Sequence, residues 1–173
     1  MFPKRTTVAL MLTLCVGVQA EPAGTVVSMR EASAATFYVP ARLPGLAPGE
    51  LMVDTGSGFM TINETTLEQL QHGEQVEYVK KVEGVLADGS RLVVPIYRIS
   101  RLDIGERCTL RDVEAAVFPG KTRQILGLSA LRKAAPFTFS IDPPQLMLSG
   151  CEAPAPALPR ASIQARPDIV ASE

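Results

Sequence analysis

The segment Leu51-Met52-Val53-Asp54-Thr55-Gly56-Ser57-Gly58 is where this 173-residue chain best concentrates the means for chemistry. Its apolar start predicts a buried strand that delivers the Asp54 carboxylate into a turn of small residues. There backbone amides can face the carboxylate and another chain can approach closely. A carboxylate so placed suits general acid–base work on a water molecule. Each residue also has an ordinary structural role. Asp54 could cap the turn, Thr55 could be a β-branched strand residue and Gly56 could supply a positive φ. The run by itself does not separate these roles from catalysis.

Other chemistries lack their parts. His72 is the single histidine and stands in Gln71-His72-Gly73-Glu74, so no Ser-His-Asp triad can be built. Gly127-Leu128-Ser129-Ala130-Leu131 lacks the closing glycine of a nucleophile elbow, and no histidine follows it. The Asp54 turn has no lysine to make it a phosphate-binding loop. With one histidine and three cysteines, no cluster is expected to hold zinc, and neither a metal nor another cofactor is predicted. The net charge is -1 and no Lys/Arg run exceeds a pair such as Lys80-Lys81, which argues against nucleic acid as a partner.

The elements that must position Asp54 are short and rich in β-formers. Thr36 to Leu43 and Glu50 to Val53 read as two strands broken by Pro44, Gly45, Pro48 and Gly49. Phe59 to Ile62 is a further apolar run, and Asn63 is a plausible N-cap for a helix over Glu64 to Gln71. Val76 to Val82 and Arg91 to Ile99 flank Asp88-Gly89, which predicts a long hairpin over Val82 to Tyr97 with its tip at Ala87 to Ser90. Leu102 to Ile104 and Cys108 to Phe118 read as separate strands around Gly105-Glu106. Ile125-Leu126-Gly127 reads as a short buried strand before a helix over Ser129 to Lys133. Phe137 to Ile141 and Gln145 to Leu148 form a last hairpin across Asp142-Pro143-Pro144. Such spacing predicts an all-β barrel or sandwich in one domain, residues 36–151, preceded by an N-terminal segment, 21–35.

The two ends differ in composition. Lys4 and Arg5, the apolar stretch Val8 to Val18 and the small-residue site Val18-Gln19-Ala20 predict a secretory signal over residues 1–20, with cleavage before Glu21. The apolar run is too short to span a bilayer comfortably, and Leu14 before Cys15 disfavours lipidation. The expectation is an exported protein, periplasmic or secreted, with no stable membrane span in the mature chain. Cleavage would leave 15 basic against 18 acidic residues, a net charge of -3. It would also leave Cys108 and Cys151, which in an oxidising compartment predict a single disulfide, two free buried thiols being the alternative. Residues 152–173, with Pro154, Pro156, Pro159 and Pro167, predict a disordered tail.

Between Thr36 and Leu148 the order and spacing of these features resemble the retropepsin-like aspartic proteases, the group of retroviral proteases and their bacterial relatives. The resemblance rests on two apolar residues before Asp54-Thr55-Gly56, a helix shortly after, the Val82 to Tyr97 hairpin where the family has its flap, and Ile125-Leu126-Gly127 before a helix. Ser57-Gly58 departs from the Ala followed by Ser or Asp common in the family. The resemblance implies a retropepsin-like acid-protease half-barrel with one or two short helices, completed as a homodimer. It further implies Asp54 as the catalytic residue, Thr55, Gly56 and Ser57 as support of its loop, and a hydroxyl lock between two loops through Thr55. Ala87, Asp88 and Gly89 would be the substrate-binding flap, and Ile125, Leu126 and Gly127 the strand crossing under the catalytic loop.

Peptide hydrolysis by aspartates needs two carboxylates sharing a proton, one acting as base on water and the other as acid on the carbonyl. Neither Asp88, Asp103, Asp112, Asp142 nor Asp168 lies in a second Asp-Thr/Ser-Gly context. A second copy of the chain is the remaining source, placed by a two-fold axis. The sequence therefore predicts a homodimeric endopeptidase acting on peptides or proteins in extended conformation. The rival reading is a peptide-binding or regulatory module that adds a strand to its partner without cutting it.

Overall fold

A computed structural model describes residues 24–153, Ala87 excepted. The predicted signal and nearly all of the predicted tail lie outside the described residues. The chain forms eleven strands and two short helices among the described residues. β2 (Arg30–Ala32), β3 (Thr36–Arg42), β4 (Gly49–Val53), β5 (Met60–Asn63), β6 (Val76–Val85), β7 (Arg91–Ile104), β8 (Cys108–Phe118) and β9 (Ile125–Leu126) make one sheet in the order β2-β3-β4-β9-β5-β8-β7-β6. The second strand from each end, β3 and β7, meet where Ala41 and Arg42 pair with Ile104 and Asp103. The strands β3-β4-β9-β5-β8-β7 thus close on themselves, with β2 and β6 left as the outer strands on either side of the closure.

Alternation explains the inside of this barrel. In β3, Phe37, Val39 and Ala41 are buried while Pro40 and Arg42 are exposed. Val39, Met60, Ile62, Ile99, Leu102, Ile104 and Leu126 are fully buried and belong to one continuous core. A second sheet, β1 (Thr25–Ser28), β11 (Gln145–Leu148) and β10 (Phe137–Ser140) in the order β1-β11-β10, adds Val27, Leu146 and Leu148 to that core. Phe139 meets Phe37 edge to face at 5.3 Å across the two sheets.

Several elements differ from their sequence reading. The segment before Thr36 contributes β1 and β2, which pair with β11 and β3. Neither pairing has a local signal. The partner of β1 lies at the other end of the domain, and the turn between β2 and β3 puts Ala34 and Ala35 at positive φ without a glycine. The strands around Ser100 are one element, because β7 keeps its register with β8 from Ile96 to Ile104. The β6–β7 hairpin accordingly runs from Val76, longer than Val82 to Tyr97. α1 (Glu64–His72) extends one residue beyond its predicted end, and Asn63 Oδ1 caps it by accepting from Thr66 N at 2.9 Å. α2 covers Leu128–Leu131, a start one residue earlier than predicted, with Gly127 as its N-cap.

Cys108 and Cys151 form a disulfide, in place of two free thiols. Beside it Thr109 and Glu152 exchange backbone hydrogen bonds of 3.0 and 3.1 Å, so the ordered body continues past Cys151 to Glu152. Replacing both cysteines by alanine is expected to lower the unfolding free energy by about 4 kcal/mol on the chain-entropy account of a crosslink spanning 43 residues. Denaturant titration with and without reductant checks this. Reduction should lower the wild-type midpoint and leave the double variant unmoved.

Candidate active site

The Asp54 turn is held from below by β9. Met52 and Val53 run parallel to Ile125 and Leu126, and on its other side β9 meets β5 at Thr61. Met52 N donates to Gln124 O at 3.1 Å and Asp54 N to Leu126 O at 3.2 Å. The turn is then closed from within. Gly56 N donates to Asp54 Oδ1 at 2.8 Å, Ser57 N to Asp54 O at 3.4 Å, and Ser57 Oγ to Phe59 O at 2.7 Å. Leu128 N donates to Ser57 O at 2.8 Å, tying α2 to the same loop.

Gly127 is the point of closest approach. A Cβ built there would lie 2.1 Å from Phe59 O and 2.9 Å from Ser57 O, both backbone atoms. Its φ of -93° suits any residue, so glycine is required for space and not for conformation. Ser129 completes the junction, since its Oγ accepts from Met60 N at 2.7 Å and donates to Glu114 O at 2.6 Å. One hydroxyl thus links α2, β5 and β8. Sequence reasoning weighed Ser129 only as a failed nucleophile, and nothing local signals this bridge.

Asp54 is half-buried, while Thr55 and Gly56 are exposed. The carboxylate opens into a cleft of about 710 Å³ whose walls are formed by Val85, Leu86 and Leu92 of the hairpin and by Phe118, Pro119 and Thr122. Ile125 and Thr61 also line it. Asp54 is the only carboxylate among the described lining residues. The walls are largely apolar, as suits a site where charge interactions must be strong. The hairpin rests on a small cluster of its own, in which Val94, Ile96 and Ala116 pack with Phe59, Val79, Val82, Leu92 and Phe118.

Of the predicted flap residues, Asp88 and Gly89 sit at the hairpin tip and do not line the cleft, and Ala87 lies outside the described residues. Asp88 Oδ1 accepts from Ser90 Oγ at 2.6 Å and Ser90 N at 2.9 Å, and Gly89 takes φ +82°. The Ser90 hydroxyl, followed by its backbone N–H, holds the Asp88 carboxyl below the usual carboxylate range. Leu126 and Gly127 are buried beneath the loop, and Ile125 reaches the cleft.

A search of curated proteins found no match. Among solved structures, the chain is similar to a retropepsin-like aspartic protease from Rickettsia conorii, with a TM-score of 0.49 and 18% identity over 72% of this chain and 88% of that one. A family model described as aspartyl protease matches residues 39–130, a span that runs from β3 through the Asp54 turn and both walls of the cleft to α2. With more than half of its length matched from the first barrel strand to the helix beside the Asp54 turn, the chain belongs to the aspartyl protease family.

Proposed function

We propose that the chain is an aspartic endopeptidase whose active form is a homodimer, each copy contributing Asp54 to one dyad. The observation that carries this reading is a single half-buried carboxylate in a turn anchored on buried strands and open to a large apolar cleft. Two carboxylates held close cannot both ionise, so the pair shares one proton. The ionised member takes a proton from water as the water attacks the scissile carbonyl, and the protonated member donates to the carbonyl oxygen. The tetrahedral intermediate then collapses, with a proton passed to the leaving amine. The cleft's volume and apolar walls suit a peptide in extended conformation. Thr55 is exposed, which leaves it free to meet a partner's turn in the proposed dimer.

Export is part of the proposal, supported by the composition of residues 1–20 and by the disulfide. The mature protein is expected to cut members of a mixed peptide library and to be inhibited by a statine-type transition-state analogue. Peptides bound but never cut would favour the strand-adding module instead. Sedimentation at tens of micromolar should show a dimer. Full activity from a species that remains monomeric would sink the shared dyad.

A further inference from the structure

The first turn of α1 makes three contacts that the chemistry above does not use. Glu64 Oε2 accepts from Gly120 N at 2.8 Å. Asn63 Nδ2 donates to Thr122 O at 3.2 Å, and Gln124 Nε2 donates to Thr66 Oγ1 at 3.1 Å. All three reach the loop between β8 and β9, which carries Pro119 and Thr122 into the cleft wall. That loop is exposed from Pro119 to Arg123, turns at Gly120 with φ +66°, and lies in no strand pairing. Its one internal side-chain bond among the described residues runs from Thr122 Oγ1 to Pro119 O at 2.7 Å. An exposed loop with so little internal support takes its shape from whatever grips it.

We propose that the first turn of α1 clamps the Pro119–Thr122 wall of the cleft, and that Glu64 is a positioning residue setting which substrate side chains that wall accepts. The inference rests on the protease reading. Glu64 suits the task because its carboxylate makes a charge-assisted bond with a backbone amide, stronger than a neutral one. It also stands at the helix N-terminus, where negative charge is favoured. The Asp54 turn hangs on other contacts, those with Leu126 and Leu128. Loosening the wall therefore weakens substrate binding and leaves the chemical step nearly unchanged, a rise in KM with kcat preserved.

The test compares wild type, Glu64→Ala, Glu64→Gln and Glu68→Ala on peptides varied at the two residues flanking the scissile bond. Glu68 is exposed on the same helix and bonds to no other side chain among the described residues. Glu64→Ala should raise KM about three- to tenfold on the favoured peptides and flatten the preference among them. Glu64→Gln keeps an oxygen acceptor and should recover much of the loss, while Glu68→Ala should match wild type. Hydrogen exchange at the Gly120 amide reads the contact in the folded proteins and should be faster in Glu64→Ala than in Glu64→Gln. Unchanged KM and preference in Glu64→Ala, or a fall in kcat of the same size in both Glu64 variants, overturns the clamp while protease activity stands. A wild-type protein that cuts nothing is a different result, and it overturns the protease reading together with the clamp.

Discussion

In the proposed homodimer, Asp54→Asn should reduce kcat by on the order of a thousandfold or more while fold and assembly survive, because the general acid–base catalysis assigned to the dyad would be lost altogether. The amide has nearly the shape of the carboxylate and keeps an oxygen where Asp54 Oδ1 accepts from Gly56 N at 2.8 Å. The bond from Asp54 N to Leu126 O is backbone and does not depend on the side chain. What the amide lacks is a proton to share and a lone pair basic enough to take one from water. Kinetics on a cleaved peptide, with sedimentation and thermal unfolding as controls, checks all three expectations. Cleavage at wild-type rates would remove Asp54 from the mechanism, and loss of the dimer would mean that the carboxylate's charge supports the interface.

Gly127→Ala should cost about 3 kcal/mol or more, at the severe end of overpacking substitutions, because nothing around the new methyl group can move cheaply. The atoms it meets are backbone carbonyls, and both are engaged. Ser57 O accepts from Leu128 N, and Phe59 O accepts from Ser57 Oγ. Relief requires β9 and the Asp54 turn to part. The folded fraction should then also show a lower kcat, since Asp54 N hangs on Leu126 O beside the substituted residue. Gly58→Ala is the internal control. Its added methyl group meets nothing within 4 Å, so its midpoint should stay within about 0.5 kcal/mol of wild type. Equal denaturant midpoints for the two variants would show that the loop does not cross β9 as described.

The chemistry-bearing turn, the hairpin tip and the helix cap were legible in the sequence because each is decided within a few residues. Asp88-Gly89 makes its turn with its own Ser90, and Asn63 caps α1 with its own Thr66. The β-formers of Thr36 to Leu43 likewise marked β3, although which of its residues face inward came from the structure. Ile125-Leu126-Gly127 read as a short buried strand from its apolar pair, but its place beneath the Asp54 turn came only through resemblance, since a two-residue strand carries too little periodicity to assign a partner. The barrel closure at Ala41–Ile104 and the pairing of β1 with β11 left no local trace, and neither did the Ser129 bridge or the hold of Glu64 on Gly120. By itself the sequence determined an all-β aspartyl protease chain with one carboxylate in a turn of small residues and two cysteines able to pair. The tertiary structure decided which backbone lies so close to Gly127 that no side chain fits, and which loop becomes the wall of the cleft. Those contacts join residues tens of positions apart, and they exist only once the strands between them have closed into a barrel.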